Sequence, residues 1–215
     1  MPEALGVPRR ALVRVAAALA TRDAAAVGAA LTDAAKVADA TAVEEVILQS
    51  HLFVGFPDAL NALGVWRNIS GLPAPAPSGE AAGEWEARGE RVCEAVYGRN
   101  YLKLRDNVRQ LHPDFEGWMV TGGYGRVIGR PGLDLATREL CIAALLAVWN
   151  VPRQLHSHLR GALNAGARVD EVDAAVEIAC EMIIPGAAAG VRALWDEIRA
   201  KASTNGAGVG FAEND

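Results

Sequence analysis

The chain has 215 residues, a net charge of −5 and a pI near 5.4, a balance that argues against a nucleic-acid partner because no basic face stands out. Hydrophobic residues make up 51% and mean hydropathy is +0.13, enough to bury a sizeable core in one large domain or two small packed units. The surplus is mostly alanine, a strong helix former, so helix is the expected element throughout. No membrane partner is expected, since the longest apolar runs, such as Cys141–Asn150, are too short to span a bilayer. The opening Met1-Pro2-Glu3 lacks the charged-then-apolar layout of a secretory signal. Cys93, Cys141 and Cys180 are odd in number and far apart; they suggest neither a disulfide framework nor a metal site, and fit a reducing cytoplasm.

In chain order, Pro8 to Arg67 reads as three or four helices. Leu12, Val15, Ala16 and Leu19 mark one apolar face at helical spacing. Asp39 and Thr41 can cap a helix from about Val43 to Phe53, ended by Gly55 and Pro57. Residues Asn68–Glu84 contain Pro73, Pro75 and Pro77 and are expected as a linker, because repeated prolines defeat both helix and ladder pairing. Helix resumes near Glu84 and runs to about Leu111. His112-Pro113-Asp114 interrupts it, and a glycine-rich stretch, Gly122-Gly123-Tyr124-Gly125, follows. Asp134 caps a strong helix over about Leu135–Trp149, Pro152 opens the next and Gly166 closes it. Further helices are expected over Val169–Ile183 and Gly186–Ala200, with Lys201–Asp215 a disordered tail.

An internal repeat organises these elements. Val43-Glu44-Glu45-Val46 matches Val169-Asp170-Glu171-Val172 at an offset of 126 residues, and Pro57 with Pro185 and Trp66 with Trp195 follow at a similar spacing. The expectation is a duplicated helical unit: a degenerate repeat in residues 1–67, a linker over 68–84, and a second helical domain over 85–200. At the repeat offset Glu139 falls on Val13 and His158 on Thr32, so an acid–base pair is expected in the second unit alone.

The chemistry concentrates between Tyr124 and Gly166. A carboxylate at Glu139 is favourable near the positive end of its helix and by itself reads as a solvated first-turn residue. His156 and His158 are two apart, a turn of roughly 200° around a helix, so they face opposite ways and cannot share a metal. His158 shares an inward face with Leu155, Ala162 and Ala165 and has the stronger claim to a role.

Arg130-Pro131-Gly132-Leu133-Asp134, then Thr137-Arg138, then His158-Leu159-Arg160-Gly161-Ala162-Leu163-Asn164-Ala165-Gly166 resembles the carboxymuconolactone decarboxylase family. The resemblance covers about Gly125 to Trp195 and, through the repeat, extends more weakly to residues 10–67. It implies an all-α, AhpD-like helical bundle that associates as a homo-oligomer, in keeping with the apolar excess. It also implies Glu139 and His158 as the acid–base pair. AhpD-like peroxidases of the same superfamily resemble Glu, then Cys-x-x-Cys, then His; their cysteine positions fall here on Val151 and Gln154, which counts against thiol peroxidase chemistry.

The reaction implied is decarboxylation or isomerisation of a small carboxylated lactone or enol acid, which requires neither a metal nor an organic cofactor. His158 would donate the proton, and Glu139 would orient the imidazole. Arg130 and Arg138 are candidate carboxylate clamps, with Arg126 and Arg160 behind them, and Tyr124 and Gln154 complete the expected substrate-binding set. One departure bears on substrate: family decarboxylases resemble Trp-Gly-Asp where this chain has Tyr124-Gly125-Arg126, a reversal of charge. The alternatives are an AhpD-like oxidoreductase, disfavoured by the missing cysteines, and a helical scaffold in which Glu139 and His158 satisfy each other.

Overall fold

The computed structural model describes residues 4–206, with side chains described as far as residue 202. Among them every regular element is helical, as the alanine-rich composition predicts. Helices α1 (Val7–Thr21), α2 (Ala24–Val37) and α3 (Ala40–Ser70) form the N-terminal part. An extended stretch over 71–81 leads to α4 (Ala82–Tyr97), α5 (Tyr101–Leu111) and α6 (Pro113–Gly117). A π-helical segment (Trp118–Ile128) follows, then α7 (Leu135–Val148), α8 (Pro152–Asn164), α9 (Val169–Cys180) and α10 (Pro185–Gly206).

The expected caps form. Asp39 accepts from the Ala42 amide and Asp134 from the Thr137 amide at 2.9 Å, each satisfying a backbone donor that its helix leaves unpaired. The chain departs from expectation at Gly55, which adopts φ 83° and breaks α3 without ending it. Left-handed φ costs glycine little, and Pro57 then sits in the first turn of a redirected helix, where its missing N–H does no harm. The glycine-rich stretch winds as part of the π-helical segment. A Cβ on Gly125 would come within 1.9 Å of the Trp85 carbonyl oxygen, so the backbones of α4 and this segment touch directly. Helix α10 continues through Gly206, six residues into the segment expected as a tail; residues 207–215 lie outside those described.

Helices α1 and α7 pack on each other at the centre. Ala16, Ala17 and Ala18 on one and Ala143, Ala144 and Ala147 on the other are all buried, so the alanine surplus serves close helix approach. Two arginine–glutamate pairs tie these central helices to others. Arg9, on α1, reaches Glu171 on α9 at 2.5 Å, and Arg138, on α7, reaches Glu45 on α3 at 2.9 Å. Trp66 donates to Glu44 and Trp195 to Asp173, each pair 22 residues apart.

Arg138 and Glu45 are 0% and 4% exposed, and removing one partner strands the other charge in the core. Glu45→Ala should therefore cost about 3–5 kcal/mol in urea unfolding. Glu181→Ala, which breaks the exposed pair with Arg14, should cost no more than about 1 kcal/mol. Equal losses would contradict the assignment of Glu45 as a core anchor.

Candidate acid–base site

Glu139 lies one turn into α7, and it is not the solvated residue that its position near a helix start allows: its side chain is 0% exposed. Helix α8 packs against α7 and turns Leu155, His158, Leu159 and Ala162 inward, with Ala165 half-buried. His158 Nδ1 and Glu139 Oε2 are 2.8 Å apart. A carboxylate can only accept, so Nδ1 carries the proton and donates, which leaves Nε2 as the exchanging nitrogen. Among the described residues no protein group bonds Nε2. Glu139 Oε1 is buried with no hydrogen-bond partner, an acceptor that ordinary cores seldom leave unpaired.

Gly161 makes this contact possible. A Cβ there would lie 2.5 Å from Glu139 Oε2 and 2.7 Å from a Val96 methyl, so any side chain would displace the carboxylate. Around the imidazole stand Phe53, from α3, at 6.1 Å between ring centroids, and Tyr97, from α4, at 6.5 Å, both edge-on. The hydroxyls of Tyr124 and Tyr97 are 3.0 Å apart. Burial, with smaller help from the Glu139 charge, raises both phenols above their ordinary range. Both stay protonated at neutral pH, so after one bonds the other a single O–H is left over.

The remaining expected site residues disperse. Arg138 is spent on the protein, bonding Gln49, Glu45 and the carbonyls of Leu133, Arg130 and Pro131. That corrects its reading as a substrate clamp, because a sealed guanidinium with its donors in use has nothing to offer a ligand. Arg130 joins Arg138 on Glu45 and lines a cavity that contains neither Glu139 nor His158. Gln154 is exposed one turn before His158 on α8. Arg160 and His156 line another cavity, on the opposite side of α8, where burial and the Arg160 charge lower the basicity of His156. Phe53, Tyr97 and Gly161 escaped the sequence reading. Gly161 stands inside the quoted motif, but nothing in the local pattern marks the two aromatics.

Residues 113–196 match the model of the carboxymuconolactone decarboxylase family. That segment is similar to the carboxymuconolactone decarboxylase family. It contains Glu139 and His158, whereas Phe53 and Tyr97 lie before it. The chain is also 28% identical over 146 residues to a protein of Schizosaccharomyces pombe called Peroxisomal protein 2, which covers 65% of this chain and 68% of that protein.

All three cysteines are free and buried. Burial pushes the thiols of Cys93 and Cys141 up to about 12. They should resist iodoacetamide in the native protein at pH 9 and react once urea exposes them, as mass spectrometry would read. Gly161→Ala should cost about 1–3 kcal/mol through overpacking. Gly186→Ala, with open space around the added methyl, should not. If both variants unfold at the same urea concentration as the parent, the tight Gly161–Glu139 packing is wrong.

Proposed function

We propose that the chain catalyses cofactor-independent proton transfer, as a decarboxylase or isomerase of a small carboxylated lactone or enol acid. The observation that carries the reading is the buried Glu139 carboxylate, with one oxygen on His158 Nδ1 and the other unpartnered. Such a carboxylate fixes the imidazole tautomer and steadies the imidazolium, which suits His158 to give or take a proton at Nε2. In decarboxylation the bond from carbon to the departing carboxylate breaks, and its electron pair passes into a conjugated enolate. Carbon dioxide leaves, the imidazolium form of His158 gives its Nε2 proton to the carbon and is left as the Nδ1–H imidazole, and a proton from solvent restores the imidazolium. Glu139 is a positioning residue in this scheme, and Tyr97 with Tyr124 offers one O–H to the enolate oxygen.

Gln154, exposed one turn from His158, is the remaining candidate for contact with substrate. The half in residues 1–67 is proposed as a degenerate copy of the unit, retained to hold α3 and Phe53 against the site. A homo-oligomer is proposed as well, supported by the exposed Leu111, Phe115 and Trp118. No helix among the described residues is long and apolar enough to cross a membrane. A cytoplasmic location rests on the three free thiols alone, and cell fractionation tests it.

A second reading has one observation in its favour. His158 is only 6% exposed, which suits a structural pair that satisfies itself in the core of a scaffold. Turnover separates the two. With a panel of unsaturated lactone acids, His158→Gln should lower kcat by about 10²–10⁴-fold. Glu139→Gln should lower kcat and change its pH profile, because it alters the imidazole rather than the substrate. Full activity in both variants on any substrate the parent turns over would end the acid–base reading.

A further inference from the structure

A second cavity, of about 220 Å³, lies beside the break in α3. Its floor is apolar, formed by Leu48, Ala59, Leu63 and Val127, and Phe56 and Leu60 stand at its lip, 67% and 61% exposed. It lies apart from the acid–base pair. His51 lines it while Phe53 meets His158, and two residues turn a helix by roughly 200°. Its volume is below the roughly 300–1,000 Å³ of sites for drug-sized molecules, so a small occupant fits best.

The charge of its wall points to the chemistry of that occupant. Three side chains there can carry positive charge, Arg126, Arg130 and His51, and none of the lining residues is a carboxylate. Arg130 lies 3.1 Å from Glu45, but Arg138 holds the same carboxylate at 2.9 Å, so two guanidinium charges share one negative charge. Arg126 rests over the Trp85 ring at 5.2 Å and has no acidic partner among the described residues. Glu80, on the same side, is neutralised by a two-pronged bond to Arg88 at 2.7 and 2.8 Å. The wall therefore carries uncompensated positive charge above an apolar floor. His51 Nδ1 donates to the Leu48 carbonyl, and the ring packs 5.0 Å from Phe56, which ties the lip to the wall.

We propose that this cavity is a second ligand site, specific for a small amphipathic monocarboxylate. The apolar body would lie on Leu48, Ala59 and Leu63, and the carboxylate between Arg126 and Arg130. Guanidinium groups match carboxylate oxygens in geometry as well as charge, while the apolar floor disfavours inorganic anions. The proposal stands whether or not His158 is catalytic, since it uses none of the same side chains.

The test is isothermal titration of the full chain with 4-phenylbutyrate, its uncharged amide and inorganic phosphate. The carboxylate should bind, the amide should bind at least about tenfold more weakly, and phosphate should not compete. Arg126→Gln, at an exposed position, should weaken the carboxylate about tenfold. Ala59→Trp should block it by filling the floor, and His158→Ala should leave it unchanged. If Ala59→Trp fails to fold, Arg126→Gln decides. Equal affinity for acid and amide would overturn the proposal, as would binding lost in His158→Ala but kept in Arg126→Gln. No binding of any probe, together with dissociation of an oligomer by Leu60→Glu in ultracentrifugation, would assign the lip to a second copy of the chain and also overturn it.

Discussion

The Arg138 guanidinium, sealed at 0% exposure, is the constraint on which the site depends. It joins three parts of the chain: Glu45 and Gln49 on α3, the carbonyls of the Arg130-Pro131 turn, and α7 itself. Gln49 answers by donating to the Arg138 carbonyl. Burial alone would make that arginine less basic, and Glu45 opposes the effect with charge and hydrogen bond. Glu139 is the next residue along α7. Fixing Arg138 toward α3 therefore sets the rotation of α7 and turns the neighbouring carboxylate about 100° away, toward α8 and His158.

Two buried polar systems thus sit on adjacent faces of one helix, and they differ in how fully they are satisfied. Around Arg138 every guanidinium nitrogen has a partner, which is what a structural network requires. Around Glu139 one oxygen has none, and among the described residues no protein group bonds the histidine's far nitrogen. An incompletely satisfied polar group in a close-packed interior costs stability. The contrast distinguishes the two networks more clearly than burial does, since both are almost wholly enclosed.

The same logic explains why alanine dominates the centre. Helices carrying large side chains at their crossing would hold α1 and α7 farther apart. The exposed groove beside Gly55 follows from a different necessity: the break redirects α3 and leaves its second half with Phe56 and Leu60 toward solvent.

The sequence by itself determined the helical class, the caps at Asp39 and Asp134, and the pairing of Glu139 with His158. These are local or motif-borne properties, carried by spacing within a few turns and by the run from Arg130 to Gly166. It also marked Arg130 and Arg138 as important, because arginines are conspicuous, but a list of residues gives no direction to a side chain. Only the tertiary structure decided that Arg138 points into the core and Arg130 toward a separate cavity. It alone placed Phe53 and Tyr97 at the imidazole, since their neighbourhood arises from contacts between segments 61 or more residues apart. The unpaired oxygen of Glu139 is of the same kind. An absent partner is a property of the packing of several helices at once, and no one segment records it.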